Sequence, residues 1–301
     1  MTPLSGIQSS IESGDYTADI ASIGSTLRTL RHKGRDLVRA FDENEVRPRY
    51  LGATLVPWPN RVVDGRYSFA GENQQLAITE PERGHALHGL AVWLDWAVVE
   101  QTGDSVTLAV TVPPQSGYPH RVQVSVRYRL DEQGLECAMT ATNTGESPAP
   151  FGTAAHPYLV AGDGLIDDWT LLLPAAEVLE VDERLSPVAL VPVPEKLDFR
   201  TERPIGDTRM DHAFTALERG ADGRAVVHAT APSGTGVALS WGPEYSWVQV
   251  FTSDLPDPGL NRRAIAVEAM TCPPDAFNSG TDLLILQPGA SFTGSWRISA
   301  L

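Results

Sequence analysis

The feature of this sequence that most constrains its fold is a period of two in the spacing of its apolar residues. Valine and leucine alternate with small polar residues in 105–112 (SVTLAVTV), and the alternation is unbroken in 121–130 (RVQVSVRYRL). Because successive side chains of a β-strand point to opposite faces, each segment is predicted to be a strand with one buried face. A turn at DEQG leads to a third such segment, 135–143, so the three predict an antiparallel meander.

Similar alternation returns near the C-terminus in four segments, 236–242, 246–254, 263–271 and 291–299. Long amphipathic helix patterns are absent, and 26 glycines and 23 prolines supply many turns. We therefore predict an all-β fold, a large twisted antiparallel β-sandwich, forming a single domain over residues 1–301. The proline-rich stretch 185–204 carries valine, leucine and phenylalanine that favour burial, so we interpret it as a long surface connection rather than a linker.

The charge balance excludes several classes of partner. With 38 acidic and 23 basic residues the net charge is −15, the wrong sign for binding nucleic acid or an anionic membrane. The N-terminal segment lacks the basic and apolar regions of a signal peptide, and no run of 18 apolar residues follows, so a cytoplasmic protein is expected. We expect a monomer or weak homodimer. The two cysteines, Cys137 and Cys272, lie far apart without metal-ligand spacing, which disfavours a disulfide framework or a zinc site.

Two residues have local contexts suited to acid/base chemistry. His156 precedes Pro157, which restricts it to extended backbone. Glu268 is predicted to share a strand face with Ala264 and Ala266, whose small side chains leave room around its carboxylate. A carboxylate among apolar residues has a shifted pKa, as a general base requires. A hydrogen-bonded structural histidine and a solvated strand glutamate are the alternatives.

Three other positions are candidates for binding. Arg61 follows a stiff Pro-Trp-Pro segment that could aim its guanidinium at hydroxyl groups. Asp211 and His212 are adjacent, so on a strand only one of them can face a given pocket. His85 and His88 have a spacing that could suit a metal ion, but a third ligand is missing nearby and the metal interpretation is disfavoured. Taken by themselves, without reference to any known family, these residues indicate a β protein with an acidic cleft that could bind carbohydrate.

Seven segments, read in order, resemble the aldose 1-epimerase family. They are PWPNRVVDGRYSFAG, HALHGL followed by WLDW, SGYPHRVQVSVRYRL, GTAAHPYL, MDHAF, WVQVFTSD and AIAVEAMTCPPDAFNSG. The resemblance implies the galactose mutarotase-like β-supersandwich, without a metal or organic cofactor. It also implies an isomerase that interconverts the α and β anomers of a free aldohexose or modified hexose. The segment 62–96 looks closer to a bacterial branch that includes sulfoquinovose mutarotases than to the galactose enzymes.

The same resemblance assigns roles to individual residues. It implies that Glu268 is the general base and His156 the general acid, and that Arg61, His88 and Asp211 bind the sugar. Ring opening is expected to begin with Glu268 ionised and His156 protonated, since at neutral pH a carboxylate is ordinarily ionised and an imidazole about half protonated.

Two alternatives remain open from the sequence. Asp211 and Glu268 could form the carboxylate pair of a glycosidase, although His156 would then have no role. A protein of the same fold could also bind sugars without catalysis.

Overall fold

The computed structural model describes residues 2–301, which are built almost entirely of short β-strands. The first thirteen strands are β1 (Gln8–Ser13), β2 (Tyr16–Ala21), β3 (Thr26–His32), β4 (Arg35–Asp36), β5 (Thr54–Leu55), β6 (Arg61–Val62), β7 (Arg66–Phe69), β8 (Glu72–Gln75), β9 (Ala86–Leu87), β10 (Ala97–Gln101), β11 (Ser105–Val112), β12 (Val122–Asp131) and β13 (Gly134–Asn143). The strands after residue 143 are β14 (Ala149–Phe151), β15 (Ala154–Ala155), β16 (Tyr158–Leu159), β17 (Thr170–Leu172), β18 (Ala175–Val181), β19 (Pro187–Pro192), β20 (Arg203–Pro204), β21 (Asp211–Leu217), β22 (Ala225–Thr230), β23 (Gly236–Trp241), β24 (Trp247–Phe251), β25 (Ile265–Met270), β26 (Leu284–Leu286) and β27 (Ser291–Ala300). Helical structure is confined to single turns, the 3-10 turns Pro48–Tyr50, Val63–Gly65, Ile166–Asp168 and Glu195–Leu197 and the α-helical turn α1 (Ala276–Ser279).

The two largest sheets formed by residues 2–301 are antiparallel. The nine-stranded sheet has the order β10-β11-β12-β13-β27-β23-β22-β17-β20. The eight-stranded sheet has the order β19-β18-β21-β24-β25-β15-β5, with β16 pairing alongside on β25. Strands β11, β12 and β13 form the predicted meander, and the all-β sandwich is confirmed. The four C-terminal segments predicted from alternation are strands β23, β24, β25 and β27.

The main core joins inward faces from the two large sheets. It contains the alternating apolar residues of β12 from Val122 to Tyr128, and Ile265 and Val267 of β25. The same cluster runs from Ile11 near the N-terminus to Ile298 in the last strand. This continuity supports the proposal of a single domain, because apolar burial is shared across the whole chain.

The opposite face of the eight-stranded sheet carries the functional region. Ala264 and Ala266 belong to a smaller apolar cluster with Tyr158, separate from the main core that holds Ile265 and Val267. Glu268 therefore has the small same-face neighbours that the alternation predicts. All six residues of β25 are buried, because loops from the first ninety residues fold over this face.

The stretch 185–204 differs from the surface connection expected for it. Its first half is strand β19, which forms the edge of the eight-stranded sheet by pairing with β18. Val188 and Leu190 are exposed on this strand, while Leu197 and Phe199 farther on are buried. Edge strands flanked by proline cannot extend the sheet easily, which limits pairing with other chains.

None of the helices in residues 2–301 combines the length and the apolar character needed to cross a bilayer.

Candidate active site

His156 and Glu268 meet at the bottom of one cleft. His156 lies on the short connection between β15 and β16, where its backbone N–H donates to the carbonyl of Ala53 and its carbonyl accepts from Gly52. Strand β25 pairs with both β15 and β16, so Glu268 faces this connection. Nε2 of His156 lies 3.3 Å from Oε1 of Glu268, and both side chains are almost fully buried. The fold thus brings together the two residues that were predicted to be the general acid and the general base.

The cleft above this pair has a volume of about 470 Å³. Its lining combines both predicted acid/base groups, all three predicted sugar-binding groups and a set of further residues, namely Arg49, Tyr50, Asn60, Thr79, Glu80, Glu82, Arg83, Leu87, Tyr158, Phe251, Asp254, Leu255 and Pro256. A depression of about 870 Å³ elsewhere is larger, but it is lined mainly by charged side chains at the surface, around Glu195, Lys196 and Arg200. Chemistry rather than volume identifies the site, since the smaller cleft contains the buried titratable groups and is of ordinary ligand size.

Asp211 and Gln249 continue the polar floor across the eight-stranded sheet. Gln249 on β24 is directly opposite Glu268 on β25, so the two side chains share a face. Nε2 of Gln249 donates to Oδ1 of Asp211 on β21 at 2.7 Å. His212 points to the other face and contacts the ring of Phe214, as the strand geometry predicts for adjacent residues. Of this adjacent pair, Asp211 is therefore the residue in the cleft.

Arg61 is buried in the cleft, but much of its guanidinium is already engaged. Its Nε and Nη2 donate to the two oxygens of Glu80 at 2.8 and 2.9 Å, and Nη1 donates to Asn60 at 3.1 Å. Arg83 adds a further bond to Glu80 at 2.8 Å. Burial alone would raise the pKa of Glu80, yet the hydrogen bonds from Arg61 and Arg83 lower it, so Glu80 is held as a carboxylate. The guanidinium of Arg61 was expected to be free to bind hydroxyl groups. Three of its five N–H groups are instead bonded to Glu80 and Asn60, and two remain available.

His88 lies beside His156 on a backbone with a positive φ of 63°. Its N–H donates to the carbonyl of Asn60, and its ring meets that of His156 edge-on with centroids 5.2 Å apart. Tyr50, also at positive φ, packs edge-on against His88 at 4.6 Å. Non-glycine residues with positive φ are costly and are common at functional sites, where the surrounding structure holds them.

His85 is not part of this cleft. Its Nδ1 accepts from the N–H of Asp64 at 3.2 Å, and its Nε2 lies 3.0 Å from the carbonyl of Arg184. Both ring nitrogens of His85 are therefore bonded to the backbone, whereas Nδ1 of His88 has no hydrogen-bond partner in the part of the chain that the structure describes. Among residues 2–301 no three histidine, cysteine, aspartate or glutamate side chains are grouped as a metal site would require.

Burial changes the proton balance of the acid/base pair. The loss of solvation lowers the pKa of His156 to about 3 and, together with the charge of Asp211, raises the pKa of Glu268 well above its ordinary value. Burial likewise lowers the pKa of His88 well below 6.5. Both directions run against the expectation of an ionised Glu268 beside a half-protonated His156. Of the two groups, Glu268 therefore holds a proton more readily than His156.

Several buried polar atoms around the cleft lack a hydrogen-bond partner. They are Nδ1 of His156, Oε2 of Glu268, Nδ1 of His88 and Oε1 of Gln249. Buried polar groups are nearly always paired, so a cluster of unpaired donors and acceptors indicates a place where a polar ligand or water binds. A hydroxyl-rich molecule matches this set, because each hydroxyl both donates and accepts.

Glu80 and Gln249 are the main site residues that the sequence reasoning missed. Gln249 had a signal, since it interrupts the apolar strand WVQVF on the face that Glu268 also uses. Glu80 had none, because the segment TEPERG has the composition of an exposed turn.

An antiparallel β-sandwich with a buried carboxylate–imidazole pair beneath a polar cleft has the arrangement of an acid/base enzyme that acts on a polar ligand. The model of the aldose 1-epimerase family matches residues 8–299. The chain belongs to the aldose 1-epimerase family and is an isomerase whose substrate is a sugar.

Curated relatives and solved structures agree with this family. The chain is 38% identical over 287 residues to the uncharacterized protein YihR of Escherichia coli K12, covering 95% of this chain and 90% of that protein. It is 30% identical over 201 residues to the aldose 1-epimerase of the same organism, covering 59% and 56% of the two chains. A putative aldose 1-epimerase structure from E. coli K12 has a TM-score of 0.85 at 23% identity, over 98% and 99% of the chains. The galactose 1-epimerase structure from Lactobacillus acidophilus has a TM-score of 0.78 at 19% identity, over 95% and 92%. At these identities the two structures establish the shared fold.

Proposed function

We propose that this isomerase interconverts the α and β anomers of a free aldohexose or modified hexose, with Glu268 as general base and His156 as general acid. The observation that carries the proposal is the 3.3 Å approach of His156 Nε2 to Glu268 Oε1 at the floor of a polar cleft. Opening a cyclic sugar requires proton transfer at the C1 hydroxyl and at the ring oxygen. Both oxygens are bonded to the same carbon, so the two catalytic groups must be close neighbours.

The proposed reaction conserves the single proton of the pair. Glu268 takes the proton of the C1 hydroxyl while His156 gives its proton to the ring oxygen. The bond between C1 and the ring oxygen breaks, and the C1 oxygen becomes an aldehyde. After rotation about the C1–C2 bond, the hydroxyl formed from the ring oxygen attacks the other face of the C1 carbonyl. Both proton transfers are then reversed. Each such transfer is typically worth about 10²–10⁴ in rate.

The pKa directions favour one of the two protonation stages of this reaction. With the proton on Glu268 and His156 neutral, the pair has the protonation of the ring-opened stage. Before ring opening the proton belongs on His156, and the short contact between the two groups permits a direct exchange. We infer that the bound sugar, by hydrogen bonding to the carboxylate, favours this transfer, since hydrogen bonds to a charged form stabilise it.

The sugar-binding roles follow from the donors and acceptors that remain free. Arg61 offers its two remaining N–H groups from a clamped position, and neutral His88 offers one donor and one acceptor. Asp211, oriented by Gln249, is the acceptor for sugar hydroxyls on the far side of Glu268. Tyr158, stacked at 5.0 Å on the ring of His156, gives the sugar a flat boundary.

Anomer exchange measured by NMR in freshly dissolved α-glucose, α-galactose and sulfoquinovose tests the proposal and ranks the sugars. We expect exchange well above the buffer rate for at least one of them. Aryl glycosides of the same sugars serve as a control for glycoside hydrolysis and are expected to remain intact. Exchange at the buffer rate across a panel widened to other free aldoses, while the protein binds those sugars, would contradict the proposal.

We also propose that the protein works in the cytoplasm as a monomer or weak homodimer, without nucleic acid or membrane as a partner. The net charge of −15 supports the exclusion of polyanionic partners. Sedimentation across a hundredfold range of concentration checks the oligomeric state.

A further inference from the structure

A second cleft, of about 700 Å³, lies between the end of β16, the loops after β4 and β22, and the segment just before β25. Three arginines, Arg35, Arg39 and Arg263, line it together with the hydroxyls of Ser233 and Thr235. It shares no lining residue with the active-site cleft. The mechanism proposed above leaves these five side chains without a role.

The three arginines lack side-chain carboxylate partners, although the chain carries 38 acidic residues. Arg35 donates to the carbonyls of Ala161 and Gly236 at 3.0 and 2.8 Å. Nη2 of Arg39 donates to a carbonyl at 3.0 Å, and so does Nε of Arg263 at 3.2 Å. Within residues 2–301 no aspartate or glutamate oxygen lies within 4.0 Å of any of the three guanidiniums. Nη2 of Arg35 does lie 3.5 Å from the main-chain oxygen of Leu301.

The remaining groups of the cleft favour an anionic ligand. Nε of Arg39 is buried without a hydrogen-bond partner, which leaves one donor unsatisfied. Two carboxylates, Asp36 and Asp163, line the cleft. Asp36 forms an ion pair with Arg31, whose Nε lies 2.8 Å from its Oδ1. Three arginines against two carboxylates leave a net positive cleft on a strongly negative protein. Gly34, Gly162 and Gly164 line it too, and without side chains they keep it open.

We propose that this cleft binds a small oxyanion, a phosphate or sulfate group that is free or carried as an ester. Planar guanidinium groups match the geometry of such oxyanions and donate paired, charge-assisted hydrogen bonds to them. The hydroxyls of Ser233 and Thr235 lie beside the arginines but are bonded within the protein, Ser233 Oγ to Thr235 Oγ1 at 2.8 Å and Thr235 Oγ1 to the carbonyl of Ala161 at 2.9 Å. The arginines are therefore the donors to the ligand. A long polyanion is disfavoured, because the protein as a whole has a net charge of −15.

The test titrates the whole protein with inorganic phosphate, inorganic sulfate and glycerol phosphate at constant ionic strength set by chloride, followed by calorimetry. We expect saturable binding of at least one probe. Arg39→Gln should weaken it by about tenfold or more, the usual size of one charge-assisted hydrogen bond. Ser233→Asp, at an exposed position that places a negative charge in the cleft, should weaken it similarly without removing an arginine. A preference between the free and esterified probes identifies which form the cleft takes.

The matched control is Arg127→Gln, which removes an exposed arginine on β12, outside both clefts, and should leave binding unchanged. Saturating glucose should also leave it unchanged, since no residue lines both clefts. The proposal is overturned if no probe binds the wild-type protein, or if binding survives both Arg39→Gln and Ser233→Asp. Displacement of the probe by glucose would place the anion in the active site instead, which also contradicts it.

Discussion

The two large sheets differ in the solvent exposure of their charged side chains. In the nine-stranded sheet, strand β12 alternates strictly between buried apolar residues and exposed polar ones such as Arg127 and Arg129. In the eight-stranded sheet, strand β25 is buried on both faces and still contains Glu268. Charge on the first sheet is solvated and contributes little to stability. Charge on the second is desolvated, which shifts pKa values and makes chemistry possible at a cost in stability.

Two ion pairs show the same contrast. Arg297 on β27 binds both oxygens of Asp131 on the nine-stranded sheet, and both side chains keep contact with solvent. Arg61 binds both oxygens of Glu80 in the cleft, where the two side chains are 9% and 5% exposed. The geometry of the two pairs is similar, but the dielectric surroundings differ. A buried pair depends strongly on having both partners, whereas an exposed pair does not.

The largest expected effect comes from removing the buried carboxylate. Glu268→Gln keeps the shape of the side chain and removes its basicity, so we expect the anomer exchange rate to fall by about 10²–10⁴. Sugar affinity should stay within about tenfold, because the amide still forms hydrogen bonds. Exchange NMR and calorimetry measure the two quantities. Near-normal turnover in this variant would remove Glu268 from its proposed role.

The pH profile follows from the directions of the two shifts. The one-proton pair exists above the lowered pKa of His156, about 3, and below the raised pKa of Glu268. Activity should therefore be lost in acid as His156 takes a second proton and in alkali as Glu268 gives up the shared one. kcat/KM, which reports the free enzyme, should show no inflection near pH 6.5 that arises from His156. An inflection there that disappears in His156→Asn would show that His156 titrates as a solvated histidine.

Breaking the buried ion pair should have an intermediate effect. Glu80→Gln leaves Arg61 without its counter-charge and frees the guanidinium to move, so we expect kcat/KM to fall by about 10- to 100-fold, mainly through KM. The matched control is Asp131→Asn on the nine-stranded sheet, which should leave kinetics unchanged and alter the free energy of unfolding by about 1 kcal/mol or less. Equal kinetic effects of both substitutions would show that Glu80 does not position Arg61 for the sugar.

The smallest expected effect is on stability. Because the folded state raises the pKa of Glu268, it binds this proton more tightly than the unfolded chain does, and stability falls as pH rises above the unfolded value near 4.3. Glu268→Gln removes this loss, so the variant should become more stable than wild type as pH increases. We expect the gain to increase from pH 5 to pH 8 and to appear as a growing difference in Tm. Thermal unfolding at pH 5 and pH 8 checks it, and a gain that is equal at both pH values would contradict the assigned pKa shift.

The alternation of apolar residues determined much of the fold by itself. Because side chains of a strand alternate between faces, the patterns at 105–112 and 263–271 predicted β11 and β25 and the face that Glu268 occupies. The ordered motifs were likewise sufficient to indicate the family. These properties are local or depend on sequence order alone, so they can be read without coordinates.

Tertiary structure alone decided the protonation of the pair and the partner of Arg61. A pKa depends on burial and on charges brought in by other segments, which is why His156 and Glu268 depart from their ordinary values once β25 and the connection after β15 are joined. Glu80 lies in a segment with the composition of an exposed turn, and only the folded chain buries it against Arg61. Desolvation is a property of the whole packed molecule, and a linear sequence does not specify it.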